Sequence, residues 1–387
     1  MTLPMPTFSL VILVQQDPAI LDLFLHSLAA TLTDRCQVII VEDGKQTNIW
    51  PVIDKFRASA PPEAEIKILC NETPQGYAAS ANRALALVTG DIIVMADSDV
   101  IFRPGWQSQF SATFDQYANA GAVGAKLIYP QSGGIQHSGI AFSEDVARHL
   151  WLNAAEDSVS GRPFAVQSVV FALCAIRKTA MEKIGLLDEQ FFNGYEDFDF
   201  CMRLRENGFD VMLDPSVIAY HWERSNGVHR EFNRRRNLGR FWRCWGARVE
   251  ADLWRFLARR LAPHIAPSAS HERWLGVDLC EDRVDSSHLW RTVRSELGER
   301  LNNVHDFSFR INSSEDLWLP RLLGNDSHLE PRRYIFAVQN IARLTANSYW
   351  WQLRQMQRDD DLVIDLYANV YPLKTLAASS WPGGKVR

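Results

Sequence analysis

Four short apolar segments, separated by amphipathic segments, constrain the fold of this chain more than any other feature. They are Phe8–Val14, Val38–Val41, Ile66–Leu69 and Asp91–Ala96. The segment between the first two, and Gly76–Val88 between the last two, have helical periodicity. Strands that are apolar on both faces and alternate with helices predict a mostly parallel sheet covered by helices, an α/β fold.

Acidic side chains follow two of these predicted strands. Glu42-Asp43 comes after the second strand, and Asp97-Ser98-Asp99 comes directly after the fourth. Ligands of such sheets bind at the carboxyl ends of the strands. Two carboxylates one residue apart suit Mg²⁺ or Mn²⁺, which prefer oxygen ligands. A solvated turn is the alternative, and the position after a buried parallel strand favours the metal site.

A second acidic cluster, Glu196-Asp197-Phe198-Asp199, opens a predicted helix that ends at Asn207-Gly208. The helix dipole favours carboxylates in a first turn, but three acids are more than capping needs. One of them, in a partly apolar pocket, is a candidate general base. His221 follows another apolar strand, Val217–Tyr220, and is a candidate third metal ligand.

In their order along the chain, these residues resemble the family 2 glycosyltransferases over residues 7–246. The segments that carry the resemblance are Asn71–Asp99, Pro104–Trp106, Ile135–Gly139, Arg177–Gly208 and His221–Ser225. The resemblance implies a GT-A fold, Rossmann-like, with a mostly parallel sheet flanked by helices. It implies inverting transfer of a sugar from a nucleoside-diphosphate sugar to the hydroxyl of a glycan or lipid-linked acceptor, in cell-surface polysaccharide or glycan assembly.

The resemblance also implies roles for individual residues. At the nucleotide it places Val14, Gln15, Glu42, Asp43 and Asp97; at Mg²⁺ or Mn²⁺ it places Asp97, Asp99 and His221; at the acceptor it places Trp222 and His137. Asp197 is the implied catalytic base, with Glu196 beside it. These roles fit the chemistry, because a cation neutralises the diphosphate leaving group and a carboxylate takes the proton of the attacking hydroxyl.

The chain departs from the family pattern at a few positions. Leu13-Val14 stands where the family often has Pro-Thr, Glu42–Lys45 replaces the usual Asp-rich loop, and Phe171 stands where a small glycine is common. We expect the Phe171 ring to narrow the acceptor site. The departures at Val14 and Phe171 motivate an alternative, a catalytically silent scaffold or binding subunit, which the retained acids and His221 oppose. Neither GxxxxGK[ST] nor GxGxxG occurs, which argues against P-loop and dinucleotide-binding enzymes.

Residues Arg224–Arg248 combine arginines with aromatic residues. One interpretation is a basic amphipathic helix lying on an anionic membrane. A second is a site for an acceptor phosphate. A third is a helix that packs its aromatic side chains on the core and leaves its arginines in solvent. Gly239 and Gly246 argue against one long uninterrupted helix.

Length and composition set the domain count and the compartment. A chain of 387 residues predicts about two domains, here 1–246 and 247–387, and the net charge of −5 argues against nucleic acid as a partner. The cysteines form no CxxC pair, and no basic signal-peptide region or bilayer-length apolar segment occurs, which predicts a cytoplasmic protein, soluble or peripheral at the inner membrane face. The smaller second domain, α/β or α+β, is predicted to contain strands Trp274–Leu279, Val304–Ile311 and Leu362–Val370 and a long helix around Ile335–Met356.

Overall fold

A computed structural model of the protein describes residues 7–14, 18–33, 36–44, 48–144, 146–223, 228–265, 273–279, 287–297, 304–307, 332–344, 350, 353 and 361–378. The chain divides into two compact units, residues 1–250 and 251–387. Each unit has its own sheet.

The amino-terminal unit is an α/β structure, as predicted. Its strands are, in chain order, β1 (Phe8–Val14), β2 (Cys36–Asp43), β3 (Glu65–Asn71), β4 (Ile92–Asp97), β5 (Val100–Phe102), β6 (Ala120–Ile128), β7 (Ile135–His137), β8 (Ile140–Phe142), β9 (Ala147–His149), β10 (Phe164–Ala165), β11 (Leu173–Arg177) and β12 (Asp210–His221). Its helices are α1 (Pro18–Ala29), α2 (Trp50–Ser59), α3 (Tyr77–Leu85), α4 (Trp106–Gln116), α5 (Lys178–Ile184), α6 (Glu196–Glu206) and α7 (Val228–Trp245), with a short 3-10 helix at Glu156–Ser158.

The main sheet has the strand order β10-β12-β6-β11-β4-β1-β2-β3. Strands β3, β2, β1 and β4 are parallel, β11 is antiparallel to both β4 and β6, and β12 is parallel to β6. The carboxyl ends of β1, β2, β4 and β12 therefore meet at the same edge of the sheet as the amino end of β11. This geometry brings distant parts of the sequence to one place.

Apolar side chains explain why these segments form a buried sheet. Every residue of β1 and β2 is buried, so both faces of these strands are covered. On one side, Trp106 of α4 is 1% exposed and packs edge-on against Phe8 and Phe110, while its indole nitrogen donates to the Thr31 hydroxyl at 3.1 Å. Truncating such a buried ring to alanine typically costs ~3–5 kcal/mol.

The carboxy-terminal unit is a smaller α/β structure. Its strands are β13 (Arg273–Asp278), β14 (Val304–Phe307), β15 (Arg332–Val338), β16 (Leu362–Asp365) and β17 (Val370–Pro372), and its helices are α8 (Leu253–Leu261), α9 (Ser287–Leu297), α10 (Ile341–Leu344) and α11 (Leu373–Ala378). The strand order is β14-β13-β15-β16-β17, parallel except for β17.

Two predictions for this unit are wrong. The expected helix around Ile335–Met356 begins instead as strand β15, which pairs with β13 on one side and β16 on the other. The expected single strand Leu362–Val370 is two antiparallel strands, because the Asp365 carboxylate accepts backbone N–H groups of Tyr367 and Asn369 and closes a turn. The part of Val304–Ile311 beyond β14 lies outside the described residues.

Among the helices that the structure describes, none combines the length and hydrophobicity needed to cross a bilayer.

Candidate active site

Two carboxylates and an imidazole meet at the carboxyl edge of the main sheet. Asp97 is the last residue of β4, and Asp99 lies in the turn between β4 and β5. Strand β5 pairs with β12 so that Val100 stands opposite His221. The imidazole Nε2 of His221 lies 3.1 Å from Asp99 Oδ1 and 3.7 Å from Asp97 Oδ2. One ligand atom from each of the three residues lies within 4.8 Å of the others, which is a suitable spacing for a metal ion.

Gln136 of β7 fixes the orientation of the His221 ring. Its amide oxygen lies 2.6 Å from Nδ1 of His221, and its amide nitrogen donates to the Glu223 carboxylate at 3.0 Å. Because the amide oxygen can only accept, Nδ1 carries a proton and donates it. Nε2 is then the ring nitrogen that faces the two aspartates. Metal-binding histidines usually donate their other ring N–H in this way.

The charge of the two aspartates acts on His221. Burial alone would lower the pKa of His221, but the hydrogen bond to Asp99 and the charges of Asp97 and Asp99 outweigh it and hold the pKa above its ordinary value. The side chain therefore lies in a strongly negative environment. Such an environment favours a cation, either the imidazolium or a metal ion.

Helix α6 begins with the second acidic pair. Glu196 is buried and its carboxylate accepts the Gly194 N–H at 2.6 Å, while Asp197 is partly exposed and accepts its neighbour Phe198 N–H at 2.8 Å. Burial, with the charge of Asp197, raises the pKa of Glu196, and burial, with the charge of Asp97, raises the pKa of Asp197. A carboxylate of raised pKa is a stronger base when it is ionised.

One dipeptide connects the acidic pair to the first cluster. The carbonyl of Ala172 accepts the backbone N–H of Asp97 at 3.0 Å, and the backbone N–H of the preceding residue, Phe171, bonds to the Asp197 carboxylate. The charge of Asp97 reaches both Asp197 and Glu196. Acids about 100 positions apart in the chain therefore lie near one another.

Tyr77, the first residue of α3, places a hydroxyl in this region. The hydroxyl oxygen is buried and has no hydrogen-bond partner among the described residues. Burial, together with the charges of Asp97, Glu196 and Asp197, raises the pKa of Tyr77 well above its ordinary value. The hydroxyl stays protonated and is a donor without an acceptor, which is unusual for a buried polar group.

The third acid of the helix, Asp199, has a structural role. Its carboxylate accepts the Trp245 indole N–H at 2.9 Å and the Arg203 side chain at 2.8 Å. It therefore joins α6 to α7.

The segment that leads into α6 is held in an unusual backbone conformation. Asn193, Gly194 and Tyr195 all have positive φ, of 52°, 139° and 72°. The Asn193 carboxamide accepts the Tyr77 N–H at 2.8 Å, and the Asn237 amide of α7 donates to the Gly194 carbonyl at 2.8 Å. Strained backbone of this kind persists only where the surroundings hold it. These contacts position the acidic pair.

We expect Gly194→Ala to destabilise the protein by ~1–3 kcal/mol, because only glycine adopts φ near 139° without strain. The matched control is Gly239→Ala inside α7. It should stabilise the protein by ~0.5–1 kcal/mol, because alanine has the higher helix propensity. Urea unfolding of both variants measures the two effects. Equal stability of the Gly194 variant and the wild type would show that this segment is not constrained as described.

The residues expected at the nucleotide lie at the same edge of the sheet. Val14 ends β1 opposite Glu42 of β2, and both are buried. Asp43 accepts hydrogen bonds from the Asn71 amide and from the backbone N–H groups of Gln75 and Gly76. These bonds outweigh the effect of burial and lower the pKa of Asp43. The Asp43 carboxylate thus organises the loop between β3 and α3. Gln15 lies outside the described residues.

The residues expected at the acceptor differ in exposure. Trp222 is partly exposed, and its backbone N–H donates to the Asp99 carbonyl at 3.2 Å. His137 is only 1% exposed. The Phe171 ring is buried and packs edge-on against Phe200 at 5.6 Å, so it fills the core between β11 and α6 rather than open space.

Helix α7 packs its aromatic side chains on the core, which agrees with the third interpretation of residues Arg224–Arg248. Phe241 and Trp245 are buried in a cluster with Phe142. Arg234, Arg235, Arg236 and Arg243 are exposed, whereas Arg240 pairs with Asp188 at 2.7 Å. The helix runs through Gly239 to Trp245, contrary to the expected interruption there. Residues 224–227 lie outside the described residues.

Sequence reasoning missed three groups in the region of the candidate site: the Gln136 side chain, the Tyr77 hydroxyl and the Phe171 N–H. Gln136 lies in the segment Ile135–Gly139, which is part of the family resemblance, but the sequence assigned no role to it. Every residue except proline has a backbone N–H, so the sequence does not indicate which one contacts a site.

Comparison with known proteins shows which family this chain resembles. The model of glycosyl transferase family 2 matches residues 9–185. An uncharacterized protein of Sinorhizobium fredii is 28% identical over 212 residues, 53% of this chain and 23% of that protein. The pre-mycofactocin glycosyltransferase of Mycobacterium tuberculosis is 27% identical over 190 residues, 49% of this chain and 38% of that protein.

A solved structure of GalNAc-T7 with UDP, GalNAc and Mn²⁺ has a similar fold, with a TM-score of 0.51 and 16% identity over 67% of this chain and 51% of that one. The chain spans less than two-fifths of the length of the two curated relatives. The family match and the sheet topology agree with each other. Residues 9–185 of this chain are thus similar to glycosyl transferase family 2, and the amino-terminal unit has an α/β fold of the GT-A type.

Proposed function

We propose that this protein transfers a sugar, with inversion, from a nucleoside-diphosphate sugar to an acceptor hydroxyl. The observation that carries the proposal is the convergence of Asp97, Asp99 and His221 with Asp197 at one edge of the sheet. A donor site and a base on the same side of the sheet are what such a reaction needs.

The donor set of the first cluster fits Mg²⁺ or Mn²⁺. Two carboxylates and the Nε2 atom of an oriented imidazole are ligands that these ions accept, with Mn²⁺ the better match for the nitrogen. In this proposal Asp99 and His221 bind the ion, and Asp97 contacts both the ion and the ribose of the nucleotide. A cation there would neutralise charge on the diphosphate as it leaves. GalNAc-T7, which shares the fold, has Mn²⁺ and UDP in its structure.

Asp197 is the proposed general base. Its carboxylate is partly exposed and is held by the N–H groups of Phe198 and Phe171. It would accept the proton of the acceptor hydroxyl as the hydroxyl oxygen attacks the anomeric carbon. Glu196 is buried beside it and is bound to Gly194. Its proposed role is to orient the acceptor hydroxyl, with its raised pKa favouring the protonated form.

The proposed acceptor is a glycan or a lipid-linked saccharide. The charge of Arg234 on α7 acts on Tyr195, the residue before the acidic pair, whose pKa burial raises. An anionic acceptor, such as one on a lipid phosphate, would bring its charge to the exposed arginines of α7. Trp222 is the proposed stacking surface for an acceptor ring, because it is partly exposed next to Asp99.

The first test is ligand-induced thermal stabilisation by a panel of UDP-, GDP- and dTDP-sugars, with and without Mn²⁺. A ligand at 100 times its Kd stabilises the folded state by about 2.7 kcal/mol. One nucleotide class should raise the melting temperature only when Mn²⁺ is present, and slow hydrolysis of that nucleotide-sugar should follow. No shift and no hydrolysis with any member would favour the alternative, a catalytically silent scaffold.

Replacing Gln136 by leucine should weaken Mn²⁺ binding by ~10- to 100-fold, because the His221 ring would lose the partner that directs Nε2 at the aspartates. Titration of Mn²⁺ by electron paramagnetic resonance measures the affinity. Gln107→Leu, a buried glutamine of α4 outside the site, is the matched control for burying the new side chain. Unchanged Mn²⁺ affinity in the Gln136 variant would contradict this role.

A further inference from the structure

Two histidines outside the aspartate cluster form a contact that the proposed reaction has not used. His137 is on β7, and His149 is the last residue of β9. Their Nδ1 atoms lie 3.1 Å apart, and the rings are nearly perpendicular, at 82°. His137 is buried, whereas His149 is partly exposed.

The surroundings of His137 decide which ring nitrogens carry protons. Its Nε2 faces the backbone N–H groups of Gly139, at 3.3 Å, and Val170, at 3.5 Å. Since an N–H can only donate, Nε2 of His137 must accept, and a neutral ring then carries its proton on Nδ1. That proton is donated to Nδ1 of His149. His149 is thereby left with its own proton on Nε2.

Both rings are kept neutral. Burial, together with the charges of His149 and His221, lowers the pKa of His137 well below its ordinary value. Burial also lowers the pKa of His149, although the charge of Glu223 opposes it. The hydrogen bond from His137 to His149 therefore joins two neutral imidazoles.

The Nε2–H of His149 has no acceptor among the residues that the structure describes. The charges of Glu223 and His221 act on the His149 ring, so the ring lies near the aspartate cluster. Strand β7 thus fixes two imidazoles through neighbouring residues. Gln136 directs Nε2 of His221 at the two aspartates, and His137 leaves His149 with a protonated Nε2 that can donate to an oxygen atom.

We propose that His149 donates a hydrogen bond from Nε2 to an oxygen atom of the donor substrate bound beside the Asp97–Asp99–His221 cluster. His137 is a positioning residue that fixes the tautomer of His149. This proposal rests on the proposed function. The oxygen belongs either to the diphosphate or to a hydroxyl of the donor sugar, and binding measurements distinguish the two.

The experiment measures binding of UDP and of UDP-glucose, each with Mn²⁺, by calorimetry. GDP and GDP-mannose replace them if the thermal panel favours guanine. His149→Phe should weaken binding by ~10- to 100-fold, whereas His149→Gln, whose amide keeps an N–H near the Nε2 position, should recover most of it. Weaker binding of both probes assigns the diphosphate, and weaker binding of the nucleotide-sugar alone assigns the sugar hydroxyl. The control is His26→Gln on the exposed end of α1.

Unchanged binding of both probes by His149→Phe would overturn the proposal while leaving the proposed function intact. Failure of the wild type to bind any probe would instead overturn the proposed function, and this inference with it.

A second readout needs no ligand. In protein labelled with ¹⁵N in histidine, the imidazole shifts should show the Nε2–H tautomer of His149 in the wild type. His137→Leu should produce a mixture of tautomers, and His137→Asn, which keeps a donor near the Nδ1 position, should restore the wild-type pattern. An Nδ1–H tautomer of His149 in the wild type would overturn the proposal.

Discussion

Replacing Asp197 by asparagine is expected to lower kcat for sugar transfer by ~10²- to 10⁴-fold, the range that a positioned general base contributes. The amide is nearly isosteric, and its oxygen can still accept the N–H of Phe198. Nucleotide binding should change little, because the aspartate cluster is unaltered. Single-turnover transfer and calorimetric binding of the nucleotide measure the two quantities separately.

The same substitution should not destabilise the fold at neutral pH. In the native state the pKa of Asp197 lies above its unfolded value, so its ionisation opposes folding. The stability tied to the protonated carboxyl is fully present below the unfolded pKa and is lost as the pH rises through the raised native pKa. We therefore expect Asp197→Asn to be at least as stable as the wild type at neutral pH, with the advantage disappearing in acid.

Asp199→Asn is the matched control, since it changes the same kind of group two positions along the helix. It should lower stability by weakening the contacts to Arg203 and Trp245 while leaving the base in place. Near-normal turnover of Asp197→Asn, or an equal loss of turnover in a folded Asp199→Asn, would show that the base has been assigned to the wrong residue.

Replacing Asp99 by asparagine is expected to weaken Mn²⁺ binding by about 100-fold or more. Residues that only support a metal ligand typically contribute ~10- to 100-fold to metal affinity, and a direct ligand should contribute at least the upper end of that range. Asp99 is 3% exposed and lies 3.1 Å from Nε2 of His221, so it is the more enclosed carboxylate of the cluster. Loss of its charge removes one of the two carboxylates that would attract a divalent ion. The Mn²⁺-dependent part of nucleotide binding should disappear with it.

Calorimetric titration of UDP, or GDP if the panel favours it, in the presence and absence of Mn²⁺ checks this expectation. Asp115→Asn, an exposed aspartate on α4, controls for the change in net charge. The Asp99 variant should behave in Mn²⁺ as the wild type does in a chelator. A variant that kept full Mn²⁺-dependent binding would remove Asp99 from the metal site.

The main sheet was predictable because its strands are unambiguous. Phe8–Val14 is apolar except for Ser9 and is a strand with those bounds. The run Tyr334–Val338 is also apolar, but a short apolar run does not distinguish a buried strand from a buried helix, and the prediction chose the helix. The turn after Asp365 was missed because it depends on one carboxylate that accepts two backbone N–H groups.

The acids of the site could be found from the sequence, but the groups that orient them could not. Asp97, Asp99 and His221 each follow an apolar strand, so strand direction alone brings them to one edge. Gln136 reaches His221 only through the pairing of β6 with both β7 and β12. His149 reaches His137 only because the hairpin of β8 and β9 returns to the end of β7. These contacts depend on how the strands pair in the folded protein, which no local sequence pattern predicts.

The most direct test of the shared cleft is the position of the metal ion relative to Asp197. Crystals grown with Mn²⁺ and the nucleoside diphosphate that stabilises the protein most would locate the ion by its anomalous scattering. We predict a single strong peak in contact with Asp99 and His221, with the Asp197 carboxylate facing the open space beside the diphosphate. An ion bound elsewhere, or an Asp197 side chain separated from the diphosphate by the sheet, would contradict the account.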